Sequence, residues 1–405
     1  MNVVKLESLT DRKIGYGIVQ PGASVPNGIP VIKVNNIISG LRNISDLDTT
    51  TVENESKYTR TRLVGGELII SVVGTIGKTA IVPADFAGCN LVRATAMIDI
   101  KDPLITQWVK YYIDSPMGQH YIAENLNTTV QPTLNVKSLV EMPIPMYSSE
   151  YIENVVSILK SLDDKIECNR RINENLEQQA QALFKSWFVD FEPFKEQPFV
   201  ESELGMIPQG WRVEKLGTIC NCLLGGTPSR NNPEYWNGDI AWINSGEVNK
   251  FRITKPSECI TEEGLKRSAT KLLPKKTTVL AITGATLGQI SLLEIDSCAN
   301  QSVIGILENE RYPYSFIYPL IKERIEELMS HMTGGAQQHI NKNNVEYLDV
   351  IEPPQDVMDV FNNKIKPLYE LIGDYCIEND RLAELRDALL PKLMSGELKV
   401  ENVTF

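Results

Sequence analysis

The chain has 405 residues, enough for two or three domains with sizeable cores. Its 42% hydrophobic and 23% charged residues are those of an ordinary globular protein, and no run of 18 apolar residues supplies a membrane-spanning helix. A net charge of −12 looks hostile to nucleic acid, but residues 1–148 hold 13 basic and 13 acidic side chains and residues 207–349 hold 15 and 16, so the acidity belongs to the rest. Neutral modules can carry a basic face towards DNA, while acidic helices suit a protein partner.

In chain order, GIPVIKV (28–34), GELIISVV (66–73) and ATAMIDI (94–100) read as strands bounded by Gly, Asn and Asp. ITQWVKYYI (105–113) has helical apolar spacing, and MPIPMYSS (142–149) closes the domain. Ser149 is expected to cap a long helix that meets no proline before Pro193. Ile152, Val155, Leu159, Leu162, Ile166, Leu176, Leu183 and Trp187 form its apolar stripe, diluted midway by Asn169, Arg170, Arg171, Asn173, Glu174 and Asn175. About 38 helical residues would span roughly 57 Å. The punctuated segment 193–206 reads as a linker before a second module opening at IPQGWRVEKLG.

That module repeats the first. LVGGELIISVVGTIGKTAIV from Leu63 is echoed by LLPKKTTVLAITGATLGQISLL from Leu272, and from Gln131 and Gln337 onward the register is gapless at 206. It pairs Leu159 with Ile365, Leu162 with Leu368, Ile166 with Ile372, Leu176 with Leu382 and Leu183 with Leu389. A period this long is a duplicated domain, not a solenoid. The second helix, near 356–394, is expected to kink or restart at Pro367 and to be capped by Gly396. Packed antiparallel, the two helices would hold the modules at opposite ends of a rod.

No catalyst stands out. The seven cysteines are odd in number and scattered, and Cys220 and Cys222 fit no usual zinc spacing, so reduced thiols are expected. His120, His331 and His339 show no metal-ligand spacing. GTIGKT (74–79) lacks the spacing of a phosphate-binding loop, and its echo GATLGQI lacks the lysine, so a tight turn between strands is expected. Such a turn could also bring Thr75, Lys78, Thr286 and Gln289 to a DNA backbone. IEPPQ (351–355) reads as a boundary between strand and helix.

Amides and basic side chains are the natural readers of base edges. Gln131 and Gln337 begin QPTLN and QQHIN, whose shared Asn135 and Asn341 more plausibly serve turns or caps. Specificity should lie where the copies differ. That singles out Lys33, Asn35, Asn36, Arg60 and Arg62 in the first module, and Arg230, Asn231, Asn232, Asn244, Arg252 and Arg267 in the second.

IPQGWRVEKLG (207–217), LDDKIECNRRINENLEQQAQALFKSWFVDFEPF (162–194) and ALLPKLMSGELKV (388–400) carry a family resemblance. The chain resembles the specificity subunit of type I restriction–modification systems over nearly its whole length. The resemblance implies an α+β protein in which two α/β target recognition domains are joined by two long helices packed as an antiparallel coiled-coil pair, a pseudo-twofold repeat. It places the first recognition domain at 1–148, the central helical spacer at 149–192, a linker at 193–206, the second recognition domain at 207–354 and the C-terminal helical spacer at 355–405. Each recognition domain would read half of a bipartite, asymmetric double-stranded DNA site. The helices would set the gap and dock two modification (methyltransferase) subunits, alongside restriction and translocase subunits.

The resemblance also implies a cytoplasmic protein that is not an enzyme on its own and binds no cofactor or metal. S-adenosylmethionine, ATP and Mg would sit on the partner subunits. Two departures stand out: NVVKLESL lacks the Pro-x-Gly-Trp lead-in of the second module, and the helical copies diverge at KSWFVDF against KLMSGEL. MNVVKLESLTDRK shows no basic-then-apolar leader. The competing readings are a coiled-coil scaffold whose two heads bind protein only, and a free-standing DNA methyltransferase. The lack of a Gly-rich cofactor strand and of a Pro-Pro-aromatic site argues against the latter.

Overall fold

The computed structural model describes residues 2–127, 132–330, 339–398 and 400. The chain forms two compact units, one of residues 1–164 with 382–405 and the other of residues 165–381. Two 40-residue helices, α1 (Ser149–Phe188) and α2 (Gln355–Met394), each contribute to both units.

In the first unit, Arg12–Tyr16, Thr95–Asp99, Leu68–Ser71 and Thr79–Ile81 form an antiparallel four-stranded sheet in that spatial order. Asp48–Thr50, Ile29–Ile32 and Asn90–Leu91 make a smaller sheet with one parallel pair. Asn2–Lys5 pairs with Pro143–Met146, closing the domain. The helix Pro103–Asp114 starts at Asp102, whose carboxylate accepts the Leu104 N–H at 2.9 Å, with proline at the first helical position. Its Trp108 is fully buried and donates to the Pro145 carbonyl at 2.9 Å, so the helix is pinned to the closing strand.

The second unit builds the same plan from a different sequence. Asn221–Leu224, Val303–Leu307, Thr278–Ala281 and Ile290–Leu292 form its four-stranded sheet. Glu258–Ile260, Trp236–Ile243 and Ser297–Ala299 repeat the smaller sheet, again with one parallel pair but with Leu272–Leu273 as a fourth strand, and Arg212–Lys215 pairs with Asp349–Glu352. The first unit thus makes the strand Asn2–Lys5 without the Pro-x-Gly-Trp lead-in. In the second unit Trp211 of that lead-in packs against Phe188, Phe191 and Phe194.

The helices are antiparallel within each unit. In the first, Tyr151 of α1 donates to the Leu393 carbonyl of α2 at 2.7 Å, and Arg386 donates to Asp163 at 2.8 Å. Leu159 is buried there, with Leu162, Leu382 and Leu389 half-buried. In the second, Phe188 stacks edge-on to Phe361 with centroids 4.6 Å apart, and Asn173 lies against Cys376. Ile166, Ile365 and Ile372 are buried in that unit, and Leu176, Leu183 and Leu368 are half-buried. Near the helix ends the buried residues are Phe184 in the second unit and Leu390 in the first, each one position along from Leu183 and Leu389.

Four expectations are corrected. α2 runs through Pro367, because Pro367 and Asn363 are both on the exposed face, where the carbonyl that Pro leaves unbonded meets water, while Phe361, Ile365 and Tyr369 are buried on the other side. Ser148, not Ser149, caps α1: its hydroxyl accepts the Tyr151 N–H at 3.3 Å. Segment 193–206 is no simple linker, since Phe199–Ser202 pairs with Gly205–Pro208 in a hairpin turned at Gly205, φ 93°. Asn169 and Asn173 do not merely dilute the stripe of α1; both side chains are buried. Gly396 caps α2 as expected, at φ 75° with its N–H on the Leu393 carbonyl.

Candidate nucleic-acid interface

In the first unit GTIGKT is a tight turn between the strands Leu68–Ser71 and Thr79–Ile81. The buried Ser71 hydroxyl organises it, donating to the Thr75 carbonyl at 2.6 Å and accepting the Lys78 N–H at 2.9 Å. At Gly77, φ 84°, an added Cβ would stand 2.8 Å from Gln119 Oε1, so the Gln119 side chain would have to shift. Thr75 and Lys78 are exposed on this turn. Behind it the Leu134 N–H reaches the Val72 carbonyl at 2.9 Å, and Val73 bridges Thr133, so Thr133 and Leu134 run beside the turn.

The second unit repeats the arrangement. The Gly288 N–H bonds the Ala281 carbonyl at 2.9 Å, the Ile340 N–H bonds the Ile282 carbonyl at 3.0 Å, and Thr283 bridges His339. Ala281 stands where the first copy has Ser71. Thr286 is half-buried and Gln289 exposed. Each unit therefore brings a glycine turn and a polar segment to one edge, with different side chains. Gln131 and Gln337, which belong to these segments, lie outside the described residues, as does His331. Asn341 caps the helix Lys342–Glu346 through the Asn344 N–H at 2.9 Å, and Asn135 precedes the helix Val136–Val140 without a side-chain cap.

Several other candidates are engaged in the fold itself. Asn36 accepts the Lys33 N–H at 2.7 Å, and Lys33 Nζ is 2.5 Å from Asp48. Asn35 is exposed, and its side chain has no hydrogen-bond partner among the described residues. Arg62 chelates the buried Glu55 carboxylate, whose pKa it lowers. Asn232 caps the turn Pro233–Tyr235, and Asn244 accepts the Gly246 N–H at 2.7 Å. Arg230 lies over the Trp236 ring at 3.6 Å and pairs with Glu258; Arg267 donates to Glu263 at 2.8 Å. Asn231 and Arg60 are exposed, and neither has an ion-pair or hydrogen-bond partner among the described residues.

Arg252 is withdrawn as a base reader. Its side chain is 0% exposed and donates to Glu177 of α1 at 2.8 Å and to the Tyr318 hydroxyl at 3.0 Å. Lys322 Nζ reaches the other Glu177 oxygen at 2.6 Å. Burial penalises the Glu177 carboxylate, but the two cations more than offset this and hold its pKa below the ordinary value. The first unit uses a comparable joint: Asp163 of α1 accepts from Tyr111 and from Arg386, each at 2.8 Å. One acid of α1 thus ties each recognition domain to its helices. Spacing alone could not reveal these joints, because the partners are far apart in sequence.

IEPPQ is the expected boundary, strand Asp349–Glu352 running into α2 at Gln355. Cys220 and Cys222 are buried thiols whose pKa values burial pushes up to about 12, so they are poor nucleophiles. Among the described residues no group of three or more His, Cys, Asp or Glu could hold a metal ion, and no helix is long and apolar enough to cross a membrane.

The family profile described as type I restriction modification DNA specificity domain matches residues 3–178 and 208–365, one match for each copy. The chain belongs to this family. It is 30% identical over 311 residues to the type I restriction enzyme MjaIX specificity subunit of Methanocaldococcus jannaschii, covering 75% of this chain and 71% of that one. It is 27% identical over 340 residues to the HindI specificity subunit of Haemophilus influenzae, covering 68% and 73%. The crystal structure of a type I restriction–modification S subunit from M. genitalium shares the fold, with a TM-score of 0.57 at 15% identity over 97% of this chain and 95% of that one. The two matches account for the duplicated plan and take in most of α1 and the start of α2.

Proposed function

We propose that the chain is the DNA-reading, non-catalytic subunit of a type I restriction–modification complex, and that its two recognition domains, 1–148 and 207–354, each read one half of a bipartite, asymmetric duplex site. The observation that carries this is the same glycine turn and polar segment built twice, with Ser71, Thr75 and Lys78 in one copy against Ala281, Thr286 and Gln289 in the other. Similar turns, the second one residue longer, with different side chains suit two different sequences read in one manner. Contacts to phosphates would position each domain, and contacts to base edges would specify the sequence.

The helical regions 149–192 and 355–405 set the gap between half-sites and dock two modification subunits; restriction and translocase subunits join the same assembly. Domains reading one side of B-DNA are spaced by about one helical turn, roughly 10 base pairs centre to centre. S-adenosylmethionine, ATP and Mg belong to the partners, which would also extrude the target base, because a stacked base cannot be reached in place. A base-resolution methylome of the native host with and without this gene tests the reading. Loss of methylation at one gapped, asymmetric motif supports it; a scaffold that binds protein only predicts an unchanged methylome.

A further inference from the structure

The two recognition domains differ in how their positive charge is disposed. In the second, Lys271 is the one cation without an ion-pair partner among the described residues; Arg230, Lys266, Arg267, Lys342 and the others face acids. In the first, Lys13, Arg60, Lys78, Arg93 and Lys137 have no acid partner among the described residues, although the domain is neutral in sum. Lys13 and Arg60 converge on one cleft of about 270 Å3, lined also by Arg12, Tyr16, Lys57 and Tyr58, with no acid among its lining residues.

The cleft is built rather than incidental. Arg12 is held by Asp99 at 2.5 Å and by the buried Glu67, and it donates to the Arg62 carbonyl at 2.9 Å, so the cleft floor is fixed. Glu67 in turn accepts the Val64 and Gly65 N–H groups and is not among the residues that line the cleft. Tyr16 is locked by its hydroxyl, which donates to the Leu134 carbonyl at 2.9 Å and accepts the Val136 N–H at 2.7 Å. That bond joins the cleft to the polar segment running beside the glycine turn. Lys57 makes a long, exposed contact to Glu53 at 4.0 Å and is not among the free charges of the cleft.

We propose that this cleft is a phosphodiester-binding site, the seat of the DNA backbone beside the half-site read by the first domain, with Lys13 and Arg60 as its two charge-bearing contacts. The inference rests on the DNA-reading function and adds to it an asymmetry: the first domain grips the backbone by charge, whereas the second has little free charge to do so.

The test is salt-dependent binding of the full-length chain, co-expressed with its modification subunits, to a cognate duplex and to a scrambled duplex. Each phosphate contact contributes about 0.9 to the slope of log affinity against log salt. Lys13→Gln with Arg60→Gln is expected to shallow that slope by ~1 to 2 and to weaken both duplexes ~10-fold or more at 0.1 M salt. Lys271→Gln is the control and should move the slope by less than either single change in the cleft. Both cleft residues are exposed and unpaired, so the variants should keep the wild-type circular dichroism. An unchanged slope, or loss of cognate binding alone, overturns the phosphate seat while leaving the DNA-reading function standing. Failure of the wild-type complex to bind either duplex overturns both.

Discussion

Asn169 of α1 donates its side-chain amide to Asn379 of α2 at 2.9 Å and to Glu378 at 2.7 Å, from a position with no exposure to solvent. In a helix pair packed by apolar side chains, one buried amide pair penalises sliding, because any other register leaves the amides unbonded. Asn169→Ala and Asn379→Ala are each expected to cost about 1 kcal/mol. The double variant should cost less than their sum, because the shared bond is lost only once. Urea unfolding of the four proteins measures the cycle; strict additivity would show that the pair is not coupled.

The joint between Arg252 and Glu177 sets a second expectation. Removing Arg252 leaves the buried Glu177 carboxylate with Lys322 as its remaining cation, so the cost should approach but not exceed the ~3–5 kcal/mol of a fully broken buried pair. Arg252→Ala should therefore lower the denaturation midpoint strongly, while every variant that still folds keeps the wild-type DNA motif. A stable Arg252→Ala protein with an altered motif would restore the arginine as a base reader.

The same joint makes stability depend on pH. Glu177 is held below its ordinary value of 4.5, so its contribution is complete above that value and is lost as pH falls through the lower folded pKa. The stability gap between wild type and Glu177→Gln should be constant from neutrality to about pH 5.5 and should narrow below about pH 4. A gap that widens on acidification would contradict the sign.

The glycine turn offers a cleaner local test. Gly74 and Gly77 both have left-handed φ, 77° and 84°, but an added Cβ meets nothing within 4 Å at Gly74 and meets Gln119 at Gly77. Alanine at either site carries a strain of about 1–3 kcal/mol, and Gly77→Ala should lie at the upper end. Thermal melts of the two variants rank them; equal losses would mean that the turn does not press on Gln119.

Much of this plan was legible in the chain. The 206-residue register exposed the duplication, GTIGKT read as a turn because its echo lacks the lysine, and IEPPQ marked the start of α2. What stayed hidden depends on distance in sequence. Asn169 looked like dilution because periodicity scores apolar positions only, yet its partners lie 209 and 210 residues away. Arg252 looked like a DNA contact because nothing near it announces Glu177, 75 residues upstream. Pro367 suggested a kink or a restart, and only the exposed face of α2 explains why the helix runs on through it. Lys13, Tyr16 and Tyr58 went unnoticed because their cleft is made by strands and turns that no single window contains.

The claim that the two copies read DNA independently is tested most directly by a base-resolution methylome of a host whose only copy of this gene has residues 2–146 exchanged for the matching segment of a relative with a different target. The account predicts that one half-site changes while the other half-site and the gap between them are kept. Replacement of both halves, or an unchanged motif, would contradict it.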